Sequence, residues 1–184
     1  MAMTYPGTTI EVLSLKKGSS KTLFDGIFAT GGITLSQVSN MTGLEPYIIQ
    51  NWVKRKFVAS PVKKLYSRQQ FARIIIINML REVLQIDSIC SLIHAIGGEL
   101  EDVTDDLIGD DELYHRYVDM ISGENIDFRD RDSVYLAAQE AADDFSGSTP
   151  GDKLKLIRIL EVMLYAHSSA QLRDSAKEIL SSLQ

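Results

Sequence analysis

The stretch of sequence that decides the fold is residues 33–81, ITLSQVSNMTGLEPYIIQNWVKRKFVASPVKKLYSRQQFARIIIINMLR. Thr34 and Gln37 form a capping-box pair, which opens a helix whose apolar side chains follow at helical spacing. Pro46 occupies a first-turn position, where its missing N–H costs nothing, in a second helix predicted over residues 45–56. Only a tight turn with a glycine separates the two helices, which is typical of a helix-turn-helix.

A basic hairpin and a third helix follow. Residues 57–66, FVASPVKKLY, place β-forming residues around Pro61 and two lysines, which favours a short hairpin. Ser67 and Gln70 form another capping box and predict a helix over residues 68–84 that is apolar nearly all round, and therefore buried. The order of these elements indicates a winged helix-turn-helix, since it runs helix, turn, helix, basic hairpin and helix.

The second helix has two chemically different faces. Tyr47, Gln50, Asn51 and Lys54 recur at helical spacing on one side. The opposite side is apolar and carries Ile48, Ile49, Trp52 and Val53. We expect the apolar side to pack on the neighbouring helices, with the tryptophan as a core anchor. The polar side is then free to face a DNA groove.

The polar side carries groups suited to DNA. Gln50 and Asn51 can each make paired hydrogen bonds with an adenine edge, whereas lysine and arginine can neutralise phosphates. The cations expected at phosphates are Lys54, Arg55, Lys63, Lys64 and Arg68, with Lys56 and Arg73 extending the positive surface. Without a hairpin beside them, the two amides would be ordinary solvated residues.

Charge is divided unevenly along the chain. Its 184 residues carry a net charge of -6 at pH 7. Residues 1–81 hold 11 Lys and Arg against 3 Asp and Glu, whereas residues 82–184 hold 8 against 22. This asymmetry suggests a first part suited to a polyanion and a second part that repels one. The alternative is that the basic and acidic parts complement each other inside one fold.

Residues 33–96 resemble the DNA-binding domain of the MerR family. The resemblance is carried by Trp52, where that family has an aromatic residue, and by two further groups of residues. These are Leu35, Val38, Met41, Thr42, Gly43 and Leu44 before the turn, and Leu65, Tyr66 and Ser67 at the exit of the hairpin. In MerR proteins the second helix and the wing contact DNA. The resemblance implies that role for Tyr47, Gln50, Asn51, Lys54, Lys63, Lys64 and Tyr66. For Tyr66, the alternative is packing under the hairpin.

Departures from the family limit what the resemblance implies. Gln50 stands where the family has an arginine ahead of its aromatic pair, so a phosphate or base contact is lost or replaced. MerR proteins dimerise through a long coiled coil and many bind metals through paired cysteines, whereas this chain has one cysteine and no sustained heptads. Its effector mechanism is therefore not carried over. Residues 105–121, DDLIGDDELYHRYVDMI, are similar to a group of uncharacterised bacterial proteins that bear a domain-of-unknown-function label and share the MerR-like start.

Three regions are expected along the chain. Residues 1–32 are predicted to be an N-terminal arm and a short helix, residues 33–98 the DNA-binding module, and residues 99–184 an acidic helical region for dimerisation or control. Asp87, and Asp110 or Asp111, are expected to cap helices, and the last two helices are expected around residues 154–164 and 172–183.

Several classes of protein are disfavoured. One cysteine excludes a disulfide framework and a cysteine-based zinc site, and the three histidines share no ligand spacing, so no metal or cofactor is expected. No nucleophile, base and orienting group occur at local spacing, so the chain is not expected to be an enzyme. No apolar run approaches the ~18 residues that cross a bilayer, and no signal-like segment opens the chain, so we expect a cytoplasmic protein without membrane contact.

Together these observations predict a mainly α protein, a MerR-like winged helix-turn-helix with a short β-hairpin wing and a C-terminal helical bundle. We expect sequence-specific binding to double-stranded DNA and regulation of transcription. Operators of such modules usually have two half-sites, which favours a homodimer formed by residues 99–184 and leaves room for an unidentified small-molecule effector. The alternative is a non-enzymatic interaction or adaptor module whose basic face docks an acidic protein.

Overall fold

The computed structural model of the chain describes residues 3–95, 108–123, 126–149 and 151–183. Within these residues the fold is mainly helical, as the sequence predicts, with two small antiparallel sheets. The strands are β1 (Met3–Thr4), β2 (Glu11–Val12), β3 (Ile33–Thr34) and β4 (Leu65–Tyr66). The helices are α1 (Ser19–Ile27), α2 (Leu35–Thr42), α3 (Pro46–Lys54), α4 (Arg68–Leu80), α5 (Ile86–His94), α6 (Asp110–Ser122), α7 (Arg131–Ala141) and α8 (Asp152–Ser181).

Local sequence sets the starts of the helices in the basic part. At α2, the Gln37 N–H donates to Thr34 Oγ1 (3.3 Å) and the Thr34 N–H donates to Gln37 Oε1 (2.8 Å). At α4, Ser67 and Gln70 make the same reciprocal pair, at 3.3 and 2.7 Å. Both predicted capping boxes are confirmed. Pro46 opens α3, as predicted.

Helix α4 forms the centre of the core. Its run Ile74–Ile77 is fully buried, because the helix packs on α2, α5, α6 and α8 at once. The hydrophobic cluster around it joins Trp52 from the basic part to Tyr117 from the acidic part. The two parts therefore share one core.

The N-terminal segment, which the sequence predicts to be an arm, forms a small strand pair and is docked on this core. β1 and β2 pair antiparallel, with Thr4 opposite Glu11. The hydroxyl of Tyr114 donates to the carbonyl oxygen of Pro6 (2.9 Å). Gly7 has a positive φ of 73° and lies against the backbone of α4, where a Cβ would collide with a carbonyl oxygen. These partners are distant in sequence, so local patterns do not reveal them.

The predicted caps of α5 and α6 are wrong by one or two positions. Gln85 and Gly109 are the N-cap residues, and neither makes a side-chain capping bond. Asp87 and Asp110 lie in the first turns instead, where a carboxylate still interacts favourably with the helix dipole. Residues 105–107, the start of the segment that is similar to uncharacterised bacterial proteins, lie outside the described residues.

Helix α8 is one helix of 30 residues, where the sequence predicts two. Residues 165–171, YAHSSAQ, contain neither glycine nor proline, so nothing in them stops a helix. In the part of the chain that the structure describes, no helix combines the length and apolar character that crossing a membrane requires.

Ion pairs join the basic part of the chain to the acidic part. The guanidinium of Arg73 pairs with the carboxylate of Asp110 (Nε to Oδ2, 2.7 Å), and Lys21 Nζ lies 3.2 Å from Glu112 Oε2. These contacts support, in part, the alternative in which the two parts complement each other inside one fold.

Candidate nucleic-acid interface

Helix α3 turns its apolar face toward the core and its polar face toward solvent, as the sequence predicts. Ile49 is fully buried and Trp52 is 5% exposed, because both pack into the core. The exposed face carries Tyr47, Gln50, Asn51 and Lys54. No described residue makes a side-chain hydrogen bond or ion pair with any of these four. The amide face is therefore open to solvent in the described structure.

The end of α3 places a lysine in a left-handed conformation. The N–H of Phe57 donates to the carbonyl oxygen of Trp52 (2.9 Å), and the N–H of Lys56 donates to that of Val53 (3.0 Å). These two bonds form a Schellman motif, which usually has glycine at the position that Lys56 occupies. Lys56 has a φ of 59°.

The predicted hairpin is present and is very short. Val62 and Leu65 exchange two backbone hydrogen bonds, at 3.1 and 2.9 Å, so that only Lys63 and Lys64 lie between them. The two lysines have φ values of 51° and 65° and are exposed. Positive φ at both central residues is the geometry of a type I′ turn, in which Asn-Gly is the usual sequence.

The hairpin is fixed to the helices on either side of it. β4 pairs with β3, which leads directly into α2, and Ile33 lies opposite Tyr66. The side-chain amide of Gln70, in the first turn of α4, donates to the carbonyl oxygens of Ala59 (3.0 Å) and Ser60 (2.8 Å). The two lysines at the turn are thus held on a short, anchored support.

In the described chain, the non-glycine residues with positive φ are Lys56, Lys63 and Lys64. A left-handed conformation costs a residue with a Cβ about 1–2 kcal/mol. Strain of this kind persists where the surrounding structure or a function requires it. Positive φ at these lysines is not among the predictions from sequence, although the two-residue interval between Val62 and Leu65 is a signal for the hairpin turn.

Arg55 lies beside α5 rather than on the amide face of α3. Its guanidinium sits 4.4 Å from the centre of the Phe57 ring and 4.0 Å from Asp87 Oδ1. It borders a cavity of about 300 Å³. Cys90 also lines this cavity, and burial raises the pKa of its thiol above its usual range. Both charged groups of the ion pair remain largely exposed, so Arg55 can exchange partners at little cost.

Arg68 and Tyr66, which the sequence also predicts to contact DNA, lie in different surroundings. Arg68 is half-buried, pairs with Asp25 (2.6 Å) and lies near the Phe28 ring. Tyr66 is only 3% exposed, and burial raises the pKa of its hydroxyl. Its packing role under the hairpin is therefore the one the structure supports, and a surface contact is not.

Arg73 does not extend the positive surface, contrary to the prediction. Its side chain is 10% exposed and its charge is satisfied by Asp110. The signal for burial was its position inside the apolar run of α4, between Phe71 and Ile77. The prediction of an exposed Arg73 rests on its charge and on its place after the basic hairpin.

Neither curated proteins nor solved structures give a significant match to the chain. A match to a protein family exists for the segment from the end of α1 to the middle of α6, which includes α3 and the hairpin. Residues 27–117 match the family model of DUF1836, a domain of unknown function.

Proposed function

We propose that the chain is a sequence-specific double-stranded DNA-binding protein that regulates transcription. In this proposal, α2, α3 and the Val62–Leu65 hairpin form a MerR-like winged helix-turn-helix, with α3 as the recognition helix and the hairpin as the wing. The exposed amide face of α3 supports the first role. The anchored lysine turn supports the second.

The observation that carries the proposal is the left-handed lysine set, Lys56, Lys63 and Lys64. Asparagine or glycine at these positions would relieve backbone strain. The lysine side chains at these three positions do not pack in the core, since all three residues are exposed. A requirement for positive charge at fixed points on the surface accounts for lysine at three strained positions, and a phosphate backbone supplies such a requirement.

The residues divide into two roles. Gln50 and Asn51 would read base edges in the major groove, because their amides can make paired hydrogen bonds with adenine. The cations would hold phosphates, namely Lys54, Arg55, Lys56, Lys63, Lys64 and Arg68. If all six contact phosphates, the logarithm of the binding constant falls with the logarithm of salt concentration with a slope of about -5.

The experiment that tests this function is selection of bound duplexes from a random pool, repeated at several salt concentrations. The proposal expects a recovered consensus and an affinity that weakens steeply with salt. Enrichment without a consensus would reduce the proposal to non-specific binding. No retention of duplex even at low salt would contradict it.

The competing proposal is an adaptor whose basic face docks an acidic protein. The Arg55–Asp87 and Arg68–Asp25 pairs favour it to some degree, since carboxylates of the chain itself already engage two of the cations. An adaptor has no need for the amides of α3. Substitution of Gln50 and Asn51 therefore affects the DNA-binding function and leaves adaptor binding unchanged.

A further inference from the structure

The cavity beside Arg55 lies between the end of α3 and helix α5. One wall comes from residues 55–57, which follow α3, and the other from residues of α5 between Asp87 and His94. Arg73 of α4 also lines it. Its volume of about 300 Å³ is at the low end of the range for small-molecule sites. Three helices therefore surround a space that suits a small ligand.

The charges around the cavity are mostly positive. Among the described residues that line it, Arg55, Lys56 and Arg73 are permanent cations, whereas Asp87 contributes a carboxylate. The guanidinium of Arg73 is already paired with Asp110, so the cations left for a ligand are those of Arg55 and Lys56. The cavity therefore favours an anion over a cation or a neutral molecule.

Arg55 is placed to bind a carboxylate. Its guanidinium carbon lies 4.4 Å from the centre of the Phe57 ring, so the ring covers one face of the group. The nearest carboxylate oxygen of Asp87 is 4.0 Å away, which is too long for a hydrogen bond. Within the described residues Arg55 makes no side-chain hydrogen bond, so the N–H groups along the guanidinium edge can donate to a ligand. A stacked guanidinium with a free edge suits a carboxylate that accepts two parallel hydrogen bonds.

Part of the cavity wall is apolar. Ile93 is buried, and Phe57 and Cys90 are half-buried. Because burial raises the pKa of the Cys90 thiol, the thiol is neutral near pH 7 and acts as a small apolar group. Such a wall favours a hydrocarbon body over a small, strongly hydrated anion, which would have to give up water without gaining new contacts.

We propose that this cavity binds a small monocarboxylate with an aromatic or branched apolar body. The carboxylate pairs with the guanidinium edge of Arg55, and Lys56 supplies a second positive charge. The apolar body lies against Phe57, Cys90 and Ile93. Arg55 and Lys56 also belong to the cations proposed to hold phosphates, so the ligand and a duplex would compete for them. Binding in the cavity requires no DNA, and its test is therefore independent of the proposed function.

Titration of the full chain with phenylacetate, followed by two-dimensional NMR of the backbone amides, tests the site. We expect the signals of residues 55–57 and 87–94 to shift until they saturate, and those of the hairpin residues 62–65 to stay in place. Phenylacetamide keeps the body without the charge, and acetate keeps the charge without the body, so each should bind about tenfold more weakly or worse. Absence of saturable shifts at millimolar phenylacetate, shifts confined to other parts of the chain, or equally tight binding of either comparison compound would overturn the proposal.

Two substitutions test the role of Arg55, and both are at largely exposed side chains, so the fold should tolerate them. Arg55→Gln removes the guanidinium and should weaken phenylacetate binding about tenfold or more, because a charge-assisted hydrogen bond is lost. Asp87→Asn removes the carboxylate that competes for Arg55 and should tighten binding about two- to fivefold.

The matched control is Arg129→Gln, which removes an exposed arginine that does not line the cavity and should leave the affinity unchanged. Thermal unfolding of each variant shows that it is folded. Binding that persists at full strength in Arg55→Gln, or that weakens in Asp87→Asn, would overturn the assignment of Arg55 as the group that holds the carboxylate.

Discussion

The guanidinium of Arg73 donates two hydrogen bonds to the carboxylate of Asp110, with N–O distances of 2.7 and 3.2 Å. Both side chains are about one-tenth exposed, at 10% and 12%. Arg73 lies within α4, the central helix of the core, and Asp110 begins α6. The pair therefore links the basic and acidic parts of the chain at a point that water hardly reaches.

Loss of Asp110 should destabilise the fold strongly. Asp110→Leu leaves a buried guanidinium without its carboxylate, and removal of one partner of a buried pair typically costs about 3–5 kcal/mol of unfolding free energy. The double variant Asp110→Leu/Arg73→Met should recover most of that loss, because no buried charge remains. Urea unfolding of the single and double variants measures both values. Equal destabilisation in the two would contradict this account of the pair.

Stability should fall in mild acid because of a half-buried histidine, His167. The hydroxyl of Tyr117 lies 2.6 Å from Nδ1 of His167, and burial lowers the pKa of His167 to about 4. The unfolded chain binds this proton near pH 6.5, whereas the folded chain resists it until about pH 4. Unfolding free energy should therefore drop as the pH falls from 6.5 to 4, by about 3 kcal/mol from this group alone.

The variant His167→Gln isolates that contribution. Urea unfolding at pH 7 and pH 4.5 should show a smaller difference for this variant than for the unaltered chain. Some pH dependence should remain, since burial also lowers the pKa of His115. His94→Gln, which replaces an exposed histidine, is the matched comparison. An unchanged profile in His167→Gln would show that His167 is not responsible.

The lysine turn should be unfavourable for stability and favourable for DNA binding. Lys63→Asn/Lys64→Gly supplies the residues that a type I′ turn prefers and should raise the unfolding free energy by about 1 kcal/mol. The same variant should weaken binding to all duplexes alike and reduce the salt slope by about 2, one for each lost phosphate contact.

A charge-matched control separates this effect from net charge. Lys16→Ala/Lys17→Ala removes two exposed lysines from the N-terminal segment and should leave the salt slope unchanged. Calorimetry and binding titrations at several salt concentrations measure the two quantities. If the turn variant is more stable and also binds duplex more tightly, phosphate binding does not explain why lysine occupies the strained positions.

Local signals predicted much of the fold and the face of the candidate site. The capping boxes at Thr34 and Ser67 depend on residues three positions apart, and the burial of Trp52 follows from helical spacing, so both could be inferred from sequence. The contact between Pro6 and Tyr114 joins residues far apart in the chain. Such pairings depend on how the core assembles, and no local pattern contains them.

Charge alone was a poor guide to exposure. Arg73 and Lys63 are both basic residues of the same stretch, yet one is buried in an ion pair and the other is exposed at a turn. Their neighbours distinguish them, since an apolar run surrounds the arginine and β-forming residues flank the lysine pair. The sequence predicts two helices where α8 is continuous, and no residue between the two predicted helices is a glycine or proline that would stop a helix.

The most direct test of the central claim compares binding to a selected duplex with binding to a scrambled one. Gln50→Ala/Asn51→Ala should reduce the difference between the two by about 1–3 kcal/mol for each lost paired contact. Lys63→Ala/Lys64→Ala should weaken both duplexes equally and preserve the difference. A difference that is unchanged by loss of the amides, or reduced equally by both variants, would contradict the assignment of α3 as the element that reads sequence.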